Sequence, residues 1–252
     1  TASVMGFQET DFTRLIAVPA LFAYNKATYA TLDDISTKLS YITPVMSGFS
    51  FGVSLMPGNK VKGKDADNLL IPKDGLKIFK RGVDATALYT HDFGKIRMDV
   101  SGSFSSYKPN LKANGIDAAE SNLNEYGGGI VFAVENWSFG GSYHFVNSGK
   151  FAAQAAAAVQ TMGAHGASWE AGVKYEKDAF AVSANFMQSR ADSFTVNGKD
   201  DYKQYQLSAR YTFTAGVDGF VDTAYLRYQS ANTDRASSNR GFAAAAGVKL
   251  TF

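Results

Sequence analysis

The residues that could do chemistry in this chain are few and scattered. His91, His144 and His165 fall in three separate segments and show no metal-ligand spacing. A hydrolytic site would need a Ser beside one of them and a third group to orient the imidazole. His91 lies near the end of an alternating segment, on its apolar register, with no identifiable Ser or Asn partner. Gly127, Gly128 and Gly129 are not a phosphate loop, because no Lys-Ser/Thr pair follows and their surroundings read as a strand. What remains is charge. Residues 1–37 hold Glu9, Asp11, Asp33 and Asp34 with Arg14 as a possible partner, and further along Lys38, Asp84, Arg97, Asp99, Glu170, Lys174 and Arg210 stand singly among small polar residues. Charges spread in this way shape an electrostatic field rather than a reaction centre. No catalytic residue and no enzyme activity are expected. No metal site or cofactor is expected either, with Ca²⁺ on the acidic 1–37 segment as the one candidate ion.

The elements that carry these charges alternate with a period of two. In the final stretch Phe242, Ala244, Ala246, Val248, Leu250 and Phe252 fall on one face, opposite Ala243, Ala245, Gly247, Lys249 and Thr251. Trp169, Ala171, Val173 and Tyr175 oppose Ser168, Glu170, Gly172, Lys174 and Glu176, and Ile96, Met98, Val100 and Phe104 oppose Arg97, Asp99, Ser101 and Ser103. The pattern predicts strands over about 38–43, 48–56, 83–93, 95–106, 124–134, 137–145, 168–176, 180–188, 202–213, 219–229 and 241–252. Short turns, among them 44–47, Gly94, 135–136, 177–178 and 214–218, alternate with long polar connections. The 57–80 connection is rich in lysine and reads first as a solvated loop. Asp222 falls on the wrong face of this scheme, so a bulge is expected near Val221.

Strands of nine to twelve residues, with short and long connections in strict alternation, fit a transmembrane antiparallel up-and-down β-barrel. The strands of soluble sandwiches are nearer five or six residues. Aromatic residues cluster near the strand ends (Phe49, Phe93, Trp137, Phe145, Trp169, Tyr175, Phe213, Tyr228, Phe252), as expected of two interfacial girdles, and Phe252 serves as the C-terminal signal of such a barrel. Composition agrees. The chain of 252 residues has 24 Gly, 19 Phe and 13 Tyr but few helix formers, and no apolar run long enough for a spanning helix. Its formal charge of +2 is too small to suggest nucleic-acid binding. Cysteine is absent, which fits many compartments.

The segment from Leu39 to Pro44, reading LSYITP, and the following SGFSFGVSLMP up to Pro57 resemble the paired strands of Gram-negative general porins of the alphaproteobacterial type. Together with the hairpin rhythm and the terminal Phe, the resemblance covers nearly all of 38–252. It implies an outer-membrane, all-β barrel of 16 strands, of which about eleven are in this sequence. Residues 38–252 are then the C-terminal part of the barrel. Residues 1–37 fall where such porins place the third loop, which folds into the lumen and narrows it, and about five strands would precede Thr1. A small complete barrel, with a twelfth strand from residues 12–24, is the alternative. The implied function is passive diffusion of ions and small hydrophilic solutes through a water-filled channel. The constriction candidates are Glu9, Asp11, Arg14, Asp33 and Asp34; the wall candidates are the seven charges from Lys38 to Arg210 named above. Implied partners are two further copies in a homotrimer, outer-membrane lipid and lipopolysaccharide, and the permeating solutes. Nucleic acid is not among them. A channel selective for sugars or an anion, and a plugged structural or receptor barrel, remain as other functions; small inward residues such as Ser50, Gly52, Ser101, Gly140 and Ser183 favour an open lumen.

Overall fold

A computed structural model describes residues 38–57, 59–60, 77–109, 112–113, 116–117, 122–148, 151–155, 158–162, 165–193, 196–232 and 238–251. Their architecture is one large antiparallel sheet with two small separate ribbons, one of them Lys112–Ala113 paired with Ile116–Asp117. The strands of the large sheet are β1 (Leu39–Ile42), β2 (Phe49–Met56), β3 (Lys77–Phe93), β4 (Ile96–Pro109), β5 (Leu123–Val134), β6 (Trp137–Ser148), β7 (Gly166–Lys177), β8 (Phe180–Asp192), β9 (Lys199–Thr214), β10 (Val217–Gln229) and β11 (Asn239–Leu250). Each pairs with the next in sequence, the order of an up-and-down sheet. The short Asn59–Lys60 segment adds to the edge of β3. Among the described residues no pairing joins β1 to β11.

The turns follow from backbone chemistry. Gly94, Glu135 and Asp178 each open a two-residue connection with positive φ (68°, 52° and 52°), the sign that matches the twist of the strands they join. Between β1 and β2 the tight turn is Ser47–Gly48, both at positive φ, closed by the Met46–Phe49 pair. It lies beyond the expected 44–47 because Pro44 is confined to negative φ. The connections at the opposite strand ends are longer. One of them, the Ala-rich connection between β6 and β7, pairs with itself as a ribbon of Phe151–Ala155 and Ala158–Met162. Strand β3 begins at Lys77, so the lysine-rich connection is shorter than expected.

The bulge expected near Val221 is absent. Pairing runs without a break from Gly219 to Tyr228, with Asp222 opposite Ser208 and Ala245, fully buried on the polar face. The register shift lies instead in β9, between Thr212 and Thr214. The alternation misled because Ala224, Leu226 and Tyr228 share the face of Asp222 and are themselves buried there, packed with Met187, Ala191 and Tyr202. Tyr228 is therefore no girdle residue: only 2% of it is exposed.

The two faces differ in the direction opposite to a soluble protein. The apolar face is open, with Leu207 62%, Phe213 64% and Phe242 69% exposed, whereas Ser168, Gln206 and Ser208 on the polar face are buried. A sheet in water would cover the first and expose the second. Aromatic rings gather on the apolar face in two belts. Trp137 and Tyr175, 4.8 Å apart, and the Tyr211–Phe213 pair belong to the turn-side belt. The loop-side belt includes the contiguous rings of Trp169, Phe186, Tyr205 and Tyr225. From Trp137 to Phe145 the strand rises about 27 Å, or about 20 Å of height at a 40° tilt, close to the apolar band of a membrane barrel.

Candidate functional site

The polar face carries the charges, and register decides which of them meet. Asp84, Arg97, Asp99, Glu170, Lys174 and Arg210 all fall on it, and Lys38 precedes β1 on the same register as Ser40, whose hydroxyl meets that of Ser54 at 2.7 Å. The constriction candidates Glu9, Asp11, Arg14, Asp33 and Asp34 lie outside the described residues, as does Phe252. Along the strands the face divides into a turn-side half that is open to solvent and a loop-side half that is buried.

The turn-side half holds two ion clusters. On β3 and β4, Arg97 Nε lies 3.1 Å from Asp99 Oδ2, and Thr90 Oγ1 donates to Asp99 Oδ1 at 2.6 Å. Asp92 stands directly across from Arg97, so this cluster has more acid than base. On β7 and β9, Glu176 accepts from Lys174 Nζ at 3.0 Å and from Arg210 Nη2 at 2.7 Å, leaving an excess of base. Between the clusters the face is small and uncharged, with Val131, Ala133, Ser138 and Gly140 on β5 and β6. Most of these charged side chains keep contact with water (Arg97 57%, Asp99 37%, Glu176 43% exposed), so their pairing is screened while their fields reach into solution.

The loop-side half is packed. Tyr107 Oη donates to Asp84 Oδ1 at 2.6 Å, and Ser142 Oγ to Glu170 Oε1 at 2.9 Å. On β9 the side chains of Tyr202, Gln204 and Gln206 form a chain of hydrogen bonds along one strand (2.8 and 3.1 Å). Asp200 accepts from Tyr228 Oη at 2.7 Å and from the Ala231 amide at 2.8 Å, which ties the start of the β10–β11 connection to β9.

One juxtaposition was not legible in the sequence. Ser168, His144 and Glu125 lie on the three neighbouring strands β7, β6 and β5, with His144 directly across from Ser168 and its Nε2 3.9 Å from Glu125 Oε2. Those are the residue types of a hydrolytic triad. The geometry is not: neither ring nitrogen of His144 makes a hydrogen bond among the described residues, so no base is joined to a nucleophile. His144 and Glu125 are each only 1% exposed. His91 lies on the apolar face, stacked on Tyr89 and edge-on to Phe93. Among the described residues no group of three or more His, Asp or Glu side chains could hold a metal ion.

The arrangement is that of a wall rather than a pocket, and comparison with known proteins agrees. The chain is similar in fold to the outer-membrane channel DcaP of Acinetobacter baumannii (TM-score 0.58, 11% identity, 91% of this chain and 69% of that one). It is also similar to Salmonella typhi OmpF in complex with daunomycin (0.56, 17%, 84% and 61%) and to an anion-selective porin from Comamonas acidovorans (0.54, 14%, 91% and 64%). It thus spans about three fifths to two thirds of the length of these structures. No curated protein matches the chain. A family model described as Gram-negative porin matches residues 2–234.

Proposed function

Because this chain belongs to the Gram-negative porin family, we propose that it forms the wall of an outer-membrane channel for passive diffusion of ions and small hydrophilic solutes. The observation that carries this reading is the inversion of the sheet: an open apolar face with two aromatic belts, and a polar face on the opposite side. Lipid would cover the first, and water would fill the space behind the second. The acid-rich cluster at Arg97–Asp99 and the base-rich cluster at Lys174–Glu176–Arg210 stand on different parts of the wall. They would set up a transverse field that orients polar solutes without selecting strongly for either sign of ion.

The pore is narrowed on this reading. In a wide water-filled lumen the loop-side side chains would be exposed, yet Glu125, His144, Ser168 and Tyr202 are buried. We assign the narrowing to residues 1–37, with Glu9, Asp11, Asp33 and Asp34 facing the solute and Arg14 among them. Assembly as a homotrimer belongs to the same proposal; the small outer residues Ala244 and Ala246 of β11 suit close contact between copies.

Liposome swelling with neutral sugars of increasing size tests this function. Rates that fall smoothly with solute size and do not saturate support general diffusion. Saturation by one sugar would identify a selective channel, and no swelling at all would indicate a plugged barrel.

A further inference from the structure

An aromatic ring stands in the open, turn-side half of the polar face. Phe220 of β10 is directly across from Arg210 on β9 and from Gly247 on β11, so it shares a face with the Lys174–Glu176–Arg210 cluster. On this face Tyr107, Tyr202 and Tyr228 are buried with their hydroxyls hydrogen-bonded, whereas Phe220 is half-exposed. Its seat is made by a missing side chain. A Cβ at Gly247 would lie 2.7 Å from Cζ of the ring and 2.9 Å from Cε1, so the ring lies over bare β11 backbone. Covering a glycine on the next strand accounts for the ring's position, but not for the charges set around it.

Cations flank the ring on both neighbouring strands. Arg210 is directly across on β9, and Lys249 stands two residues towards the short turns on β11, directly across from Asp218. With strands about 4.8 Å apart and about 3.4 Å per residue, their Cα atoms are about 12 Å apart, so the two long side chains can converge over the ring. The nearby acids are engaged: Asp218 accepts from Thr212 Oγ1 at 2.6 Å, and Glu176 from Lys174 at 3.0 Å and Arg210 at 2.7 Å. Asp222, two residues the other way, is fully buried. Lys174, Arg210 and Lys249 thus outnumber Glu176 and Asp218 by one positive charge beside a half-exposed ring. The complementary solute is a flat apolar body with one negative charge. Resting on the porin reading above, which puts water against this side of the sheet, we propose that Phe220, Arg210 and Lys249 form a subsite for aromatic carboxylates. The solute's ring would pack on Phe220, and its carboxylate would lie between the two cations.

The test titrates the full-length natural protein in detergent with benzoate, cyclohexanecarboxylate and benzamide, reading binding by saturation-transfer NMR and folding by heat-modifiable electrophoretic mobility. Wild-type protein should bind benzoate about threefold more tightly than cyclohexanecarboxylate, which has the same charge without the aromatic ring, and more tightly than uncharged benzamide. Phe220→Leu keeps apolar bulk over Gly247 and removes the ring. It should weaken benzoate about fivefold and abolish the preference over cyclohexanecarboxylate. Gly247→Ala, whose Cβ displaces the ring, should weaken benzoate in the same sense. Lys249→Gln should weaken both carboxylates about threefold and leave benzamide unchanged. Equal binding of benzoate and cyclohexanecarboxylate by wild type would overturn the proposal, as would unaltered benzoate binding by folded Phe220→Leu. If that variant does not fold, the wild-type comparison and Lys249→Gln decide the matter. Conductance in potassium chloride is the separate control: absence of current from inserted wild-type protein would refute the porin reading, whereas conduction without benzoate preference would refute the subsite alone.

Discussion

At the scale of single residues, the polar face shows how burial changes what a hydrogen bond is worth. Asp200 and Tyr228 are both nearly inaccessible, and the carboxylate holds the phenol and the Ala231 amide together at the loop-side end of β9 and β10. Removing the hydroxyl with Tyr228→Phe takes one charge-assisted bond from a buried acceptor. The expected cost is about 1.5–3 kcal/mol, to be measured as a lowered denaturant midpoint of the folded protein in micelles. An unchanged midpoint would mean that water replaces the phenol there. The turn-side clusters behave differently, because their charges are screened and act mainly on passing ions. Glu176→Gln leaves Lys174 and Arg210 without their shared acceptor. The reversal potential in a salt gradient should then move towards anions, by a change of order twofold in the permeability ratio. Arg210→Gln should move it the other way.

At the scale of elements, the turns and the strand faces can be tested separately. Gly94 opens the β3–β4 turn at φ 68°, and a Cβ built there meets no atom within 4 Å, so any cost of Gly94→Ala comes from the backbone alone. About 1 kcal/mol is expected. Gly102, in β4, also has open space but an ordinary φ, so Gly102→Ala should be neutral or stabilising. Leu207, halfway along β9 and 62% exposed on the apolar face, should tolerate no charge: Leu207→Arg is expected to cost about 2–4 kcal/mol in lipid, measured by urea unfolding from bilayers. Free tolerance of the arginine would contradict the lipid-facing assignment.

The same comparison shows what alternation can and cannot reveal. In the turn-side parts of β4 and β9 and throughout β7 every apolar side chain faces one way, and the sequence pattern alone placed Arg97, Glu170 and Arg210 on the correct side. Where both faces carry apolar residues the pattern loses its sign. Ala224, Leu226 and Tyr228 pack on the polar face beside Asp222, so the alternation alone puts Asp222 out of register although its pairing is unbroken. The meeting of Ser168, His144 and Glu125 depends on register across three strands, which no single segment encodes. The row of Arg210, Phe220 and Gly247 is hidden for the same reason: the three residues lie on three strands and become neighbours only through pairing.

At the scale of the whole molecule, an eleven-strand sheet with an open apolar face makes physical sense only beside lipid. In water the exposed Leu39, Phe213, Leu207 and Phe242 would drive aggregation. Beside lipid, the two aromatic belts mark the depth of the wall, and the acid-rich and base-rich clusters stand on its opposite, polar face. The most direct test is single-channel recording of the full-length natural protein in a planar bilayer, with the reversal potential taken in a salt gradient. The account predicts stepwise openings, in threes for a trimer, with a reversal potential near zero that Glu176→Gln and Arg210→Gln move in opposite directions. A folded, inserted protein that never conducts, or one that passes a single ion or solute to the exclusion of others, would contradict it.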